Sequence, residues 1–116
     1  MQVSGGQYKT VVMQPAAVAT GNGTAIECTE VAGGACKQLA LQVQGITTAT
    51  ITWEATIDST NWKGLLVTPL DTGTAALTAT ADGIFRVDVT GLAQFRARIS
   101  AWTSGAITVT GILAAV

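Results

Sequence analysis

The sequence predicts an all-β protein, an antiparallel two-sheet β-sandwich that is jelly-roll-like. Three observations predict it. Apolar and polar residues alternate with a period of two in segment after segment, so one face of each strand meets a core and the other meets solvent. Clusters of Gly, Asp, Asn and Ser separate these segments as turns would. No stretch carries a helical period, and the apolar content of 48% includes only 5% aromatics, leaving Val, Ile, Leu and Ala to pack beside abundant Thr, residues whose shapes suit pleated strands.

Residues 1–6 read as a flexible N-terminal arm and residues 7–116 as a single β-sandwich domain, because a chain of 116 residues can bury one core without metal or disulfide staples. Residues 7–13, with Tyr8, Val11 and Val12, form a first strand. Pro15 interrupts it, since proline cannot donate a ladder hydrogen bond, and an extended edge continues over 16–20. Gly21-Asn22-Gly23 is a turn. The sequon Asn22-Gly23-Thr24 within it is read as chance, in the absence of a secretory signal. A short strand covers 24–28. Between Cys28 and Cys36 lies TEVAGGA, a hairpin loop tipped by Gly33-Gly34. If its flanks pair, Cys28 and Cys36 come within disulfide distance; otherwise they are the free thiols usual in a cytoplasmic product.

Residues 37–44 place Leu39, Leu41 and Val43 on one face and Gln38, Gln42 and Gln44 on the other, and end on a turn at Gly45. The most regular strand follows over 48–57. Ile51, Trp53, Ala55 and Ile57 point to the core; Thr50, Thr52, Glu54 and Thr56 point away. Asp58-Ser59-Thr60-Asn61 is a turn of short polar side chains, and Trp62 then plugs one end of the sandwich. Residues 64–68 are the hairpin partner, stopped by Pro69. After the turns Asp71-Thr72-Gly73 and Asp82-Gly83, Phe85, Val87 and Val89 alternate with Arg86 and Asp88. Beyond Gly91, Phe95, Ala97, Ile99 and Ala101 alternate with Arg96, Arg98, Ser100 and Trp102. A turn at Thr103-Ser104-Gly105 leads to Ile107, Val109 and Gly111, then to an apolar tail over 112–116 that, with the N-terminal arm, can reach toward a neighbour.

Charged residues make up only 11% of the chain, against about 25% in ordinary soluble domains. A surface of Thr, Ser, Gln and Gly suits lasting contact with other protein subunits, including copies of the same chain. Net charge is −1 and the six Lys and Arg are scattered, which argues against a nucleic-acid partner. No apolar run approaches the roughly 20 residues of a membrane span, and MQVSGGQYK lacks the layout of a signal peptide. Synthesis in a cytoplasm without an export signal is expected.

The chain has no His, so the usual nucleophile–base triads are absent. Glu54 and Asp58 are the one close carboxylate pair, and solvation and turn formation explain both. Asp58, Asp71 and Asp82 each sit in a turn, too isolated in sequence for a calcium loop. No catalytic residue, metal or cofactor is expected, and the chain reads as no enzyme. Trp53 has core parity. Trp102 shares the parity of Arg96 and Arg98, so Trp102, Arg96, Arg98 and Trp62 are the candidate interface residues, being of the types enriched at contact hot spots.

Asp58, Asn61 and Trp62 form a D-x-x-N-W pattern; Gly83, Phe85, Arg86, Val89 and Gly91 follow in a second; Phe95, Arg96, Arg98, Ser100, Thr103, Ser104 and Gly105 complete a third. This run, about the last seventy residues, resembles a small β-sandwich virion module of tailed bacteriophages, of the capsid decoration or cement type or the head-fibre and tail adhesion type. The resemblance implies a virion protein that stabilises the outer capsid surface, with the major capsid protein and itself as partners. The alternative is a module of a tail or head fibre that binds a carbohydrate or host receptor, which calls for an aromatic platform with Trp102 and Trp62 side by side. No catalytic residue comes with the resemblance.

Overall fold

The computed structural model describes residues 8–28 and 37–115. Among them every regular element is a strand: β1 (Tyr8–Ala17), β2 (Ile26–Glu27), β3 (Lys37–Thr56), β4 (Lys63–Gly64), β5 (Thr68–Pro69), β6 (Thr78–Ala79), β7 (Gly83–Asp88) and β8 (Gln94–Ala115). They make one antiparallel sheet in the order β1-β8-β3-β7-β5, with β2 paired to β8 and with β4 and β6 paired to β3. The all-β sandwich therefore takes a particular form, in which the two layers are two halves of a single sheet.

β3 and β8, of 20 and 22 residues, run antiparallel from Lys37↔Ala115 to Thr56↔Gln94 and belong to both layers. In the first layer, the start of β3 lies between β7 and the end of β8, with β1 beyond. In the second, the end of β3 pairs with the start of β8, flanked by β2 on one side and by β4 and β6 on the other. The layers meet across the core. Trp53 of the second stands 5.3 Å from Phe85 of the first, ring centre to ring centre, and stacks on Phe95 at 6.0 Å. Trp53 is fully buried and its indole N–H has no acceptor among the described residues, at a cost of about 1–3 kcal/mol. Burying roughly 200 Å² of indole contributes about 5 kcal/mol at 25 cal/mol per Å², so the packing prevails.

The turns expected at Gly45 and at Thr103-Ser104-Gly105 are not turns. The chain passes through both in extended pairing, with register shifts between Gln44 and Ile46 and between Ile46 and Thr48. Gly45 (φ 88°) and Gly105 (φ 113°) occupy the left-handed region, which bulges and bends a strand without reversing it. The two bends face each other. A Cβ on Gly45 would stand 1.9 Å from the Ala106 carbonyl oxygen, and one on Gly105 would stand 2.4 Å from the Gly45 oxygen. Asp82 fixes this corner by accepting hydrogen bonds from the backbone N–H of Gly45 (3.1 Å) and of Ile46 (2.8 Å).

β1 does not stop at Pro15. It continues to Ala17 with register shifts on both sides of Gln14, as an edge strand can, because only one side of it needs donors. The irregularity turns Gln14 inward. Its side-chain amide, almost wholly buried, donates across the sandwich to the carbonyl of Ala97 (2.7 Å) and to that of Gly21 (3.2 Å). Gly21 in turn exchanges two backbone bonds with Ile99, so the crossing from β1 to the second layer is tied on both sides.

Three further expectations change. Ile57 is 74% exposed, because β3 ends at Thr56 and the chain leaves the ladder before Ile57 can face inward. The tail from Ile112 is no reaching segment: to Ala115 it is β8 itself, paired with β1 on one side and β3 on the other. The partner expected over 64–68 divides, with Lys63–Gly64 returning to β3 and Thr68–Pro69 joining β7. Cys28 is buried, and its N–H donates to Ala93; Cys36 and the loop between the cysteines lie outside the described residues, as do residues 1–6.

Gly45→Ala is expected to cost about 2–4 kcal/mol in urea denaturation, from the left-handed backbone and the blocked approach of Ala106 together. Gly73→Ala shares the positive φ but has open space around it, so its cost should stay near 1 kcal/mol.

Candidate functional site

The outward face of the second layer gathers three of the four candidate interface residues. Glu54 and Arg96 are directly opposite across β3 and β8, and Arg98 reaches the same carboxylate from the next outward position along β8. Arg96 places Nε and Nη2 each 2.8 Å from Glu54 Oε1, while Arg98 Nη2 lies 3.1 Å from Oε2. Each carboxylate oxygen thus holds its own guanidinium. Arg96 also covers the ring of Trp62, its guanidinium carbon 4.0 Å from the ring centre, in a cation–π contact. Trp62 lies along this face under Arg96. Burial, the largest single influence on Glu54, pulls its pKa up, but the hydrogen bonds and charges of Arg98 and Arg96 outweigh it and hold the group below its ordinary value.

Asp58 closes the loop after β3. Its Oδ1 accepts from the backbone N–H of Asn61 (2.8 Å) and Thr60 (2.9 Å) and from the Thr56 hydroxyl (3.0 Å), while Oδ2 accepts from the Asn61 side chain (2.7 Å). The backbone bonds from Asn61 and Thr60, then the side chains of Asn61 and Thr56, drive its pKa far below the usual carboxylate range. Ser59 adopts a left-handed φ of 64° in this loop. Glu54 and Asp58 therefore each serve local partners. Asp82 is on the Gly45 corner, and among the described residues no three acidic, Cys or His side chains stand together as a metal site would require.

Trp102 departs from its expected position. Ile51 pairs with Ile99 but Thr50 pairs with Ala101, leaving Ser100 as an extra residue. That bulge reverses the parity beyond it: Ala101 is exposed, while Trp102 is half-buried, packs against the core and donates its indole N–H to the Gly105 carbonyl at 2.9 Å. Arg96 and Trp102 are six residues apart on one strand, roughly 20 Å. Trp62, held under Arg96, and Trp102 thus form no joint platform. Trp102 instead borders a separate concavity at the corner, together with threonines of β3 and of the segment after β6.

A surface that sequence reasoning missed lies on the outward side of the first layer. Two rows cross four strands there: Val12, Thr110, Gln42 and Ile84 in one, and Thr10, Ile112, Ala40 and Arg86 in the other. Val12, Ile84 and Ile112 are 49%, 50% and 43% exposed, and Arg86, between Ala40 of β3 and Thr68 of β5, is the one charged side chain in these rows. The signal was present: each of the three adjoins a buried residue (Met13, Phe85, Leu113), so each is an apolar residue at outward parity.

A sequence profile of the XepA family matches residues 7–113. The chain belongs to the XepA family. No curated protein matches it in sequence. Among solved structures, the SPBc2 prophage-derived protein YomS superposes with a TM-score of 0.81 at 16% identity, over 97% of each chain. The PBSX exported protein XepA superposes with a TM-score of 0.85 at 16% identity, over 98% of this chain and 40% of its own. The chain thus spans less than half of that XepA structure, and at this identity the two likenesses establish the shared fold.

Glu54→Gln should destabilise the protein by about 1–2 kcal/mol at pH 7, since two guanidiniums lose a charged acceptor. Because the Glu54 pKa is lowered on folding, its contribution is complete above the ordinary value of 4.5 and fades as pH falls below it. Denaturation midpoints of the two proteins should therefore converge in acid. In the Asp58 loop, Asp58→Ala should speed amide exchange at Thr60 and Asn61 while leaving the amides of β7 unchanged.

Proposed function

We propose that this chain is a non-enzymatic bacteriophage structural protein that decorates the outer surface of the capsid, docking on the major capsid protein. Membership of the XepA family, and relatives that derive from the prophages SPBc2 and PBSX, support a phage role. The exported character of the PBSX protein fits action outside the host cytoplasm, a condition that a virion surface meets.

The observation that carries the reading is the largely apolar outward face of the first layer, where Arg86 is the one charged side chain in the two central rows. Its centre is made of Val12, Thr110, Gln42, Ile84, Ile112 and Ala40, with a shallow depression of about 200 Å³ between Ile84 and Ile112. An exposed apolar patch set among polar side chains is how protein docking surfaces are built. A face with a single charge in those rows has little means of holding a polyanion, and suits a protein lattice whose own surface is largely neutral there. Copies of the chain side by side on that lattice belong to the same reading.

Quantitative mass spectrometry of purified particles tests it. A copy number comparable with that of the major capsid protein is expected. A handful of copies per particle would move the chain to the tail, and its presence in the medium but not on particles would overturn a virion role. Ile84→Lys with Ile112→Lys, both at exposed positions, should leave the thermal melt within a few degrees of the parent and reduce particle association at least tenfold.

A further inference from the structure

We propose that the concavity at the corner of the sandwich is a binding subsite for a neutral sugar. It encloses about 280 Å³ and is lined by Thr47, Thr48, Thr50, Thr80, Thr103 and Trp102 together with two alanines. That is near the lower bound of small-molecule sites. No charged side chain lines it. This site is separate from the largely apolar face of the first layer, so either assignment can fail without the other.

The chemistry of the lining selects the ligand class. Some threonine hydroxyls of the sandwich have partners within the chain, Thr52 with Ser100, Thr56 with Asp58 and Thr90 with Asp88, while others, such as those of Thr10, Thr68 and Thr110, stand open to solvent as the concavity's do. The five hydroxyls of the concavity make no such bond among the described residues. Each offers one donor and two acceptor positions, which matches the hydroxyls of a sugar. An anion would find no cation there, and an apolar ligand would strip water from hydroxyls without replacing it. Trp102 supplies a partly exposed aromatic surface for the C–H face of a pyranose, the amphipathic role in which Trp is favoured.

The subsite is also rigid. The Trp102 indole is anchored to Gly105. The threonines stand on paired strands at the Gly45 bend, and Thr80 lies on the segment that ends at Asp82, which binds that bend. Groups held in place before binding lose little entropy on binding.

The test is an NMR titration of the full chain, labelled with ¹⁵N, using glucose, galactose and N-acetylglucosamine in turn. At least one should shift the Trp102 indole N–H and the Thr50 and Thr103 amides together and saturably, with a dissociation constant on the order of millimolar. Trp102→Ala removes core contacts as well as the stacking surface, so the deciding variant is Thr50→Val with Thr103→Val, which keeps side-chain shape and deletes two hydroxyls. It should melt like the parent and bind about tenfold more weakly. The proposal is overturned if none of the three sugars gives a saturable shift, or if the double valine variant binds as the parent does.

Discussion

The close approach of two bends, at Gly45 on β3 and at Gly105 on β8, is the constraint on which this structure depends. Each bend puts backbone where the other residue's Cβ would stand. Because both strands bend at the same place, they remain paired along their length while the sheet folds over. A break in only one of them would leave unpaired backbone groups at the corner, and these are costly when buried. Asp82 meets the remaining need by accepting the N–H groups that the β3 bulge frees. The meeting of Trp53 and Phe85 across the core follows from that geometry, since the two rings lie in different layers of one sheet.

Polarity is sorted by layer. The outward face of the second layer pairs its charges internally, with Arg96 and Arg98 sharing Glu54 and Trp62 lying under Arg96. These residues were natural interface candidates by type, but their charges and ring are in large part occupied by one another. The first layer has the opposite character, with apolar and amide side chains turned outward on β1, β8 and β3 and charge confined to Arg86 and Asp88 on β7. Residue type alone does not show whether a side chain is already engaged by its neighbours. What matters is whether a group still has an interaction to offer, and that depends on its neighbours across the strands.

Much of the fold was legible because strand alternation is local. Leu39, Leu41 and Val43, or Phe95, Ala97 and Ile99, announce their inward faces within a few residues, and all are buried. The positive φ at Gly45 and Gly105 was foreshadowed by glycine itself. Whether such a glycine reverses the chain or bends a strand depends on what pairs beyond it, some 60 residues away, and the sequence does not display that. The same nonlocality misplaced Trp102, where one extra residue at Ser100 reversed the parity. It also hid Gln14, whose role is set by the Ala97 carbonyl in the other layer. The corner concavity was illegible for a related reason: its threonines come from three separate stretches.

The pairing order has a consequence for how the molecule is made. β8 follows β1, β2 and β3 in the chain, yet it is the strand with which each of them pairs. Until it has been synthesised, β1 and β2 have no strand to join and β3 has lost one of its two neighbours in the first layer. A nascent chain emerging from the ribosome therefore carries open strand edges and a half-covered Trp53 until β8 arrives, the condition in which β-proteins aggregate. Folding must wait for contacts between distant parts of the chain, which makes it slow. Few charges are available to keep waiting chains apart, and insertion of β8 between β1 and β3 is the step that closes those edges.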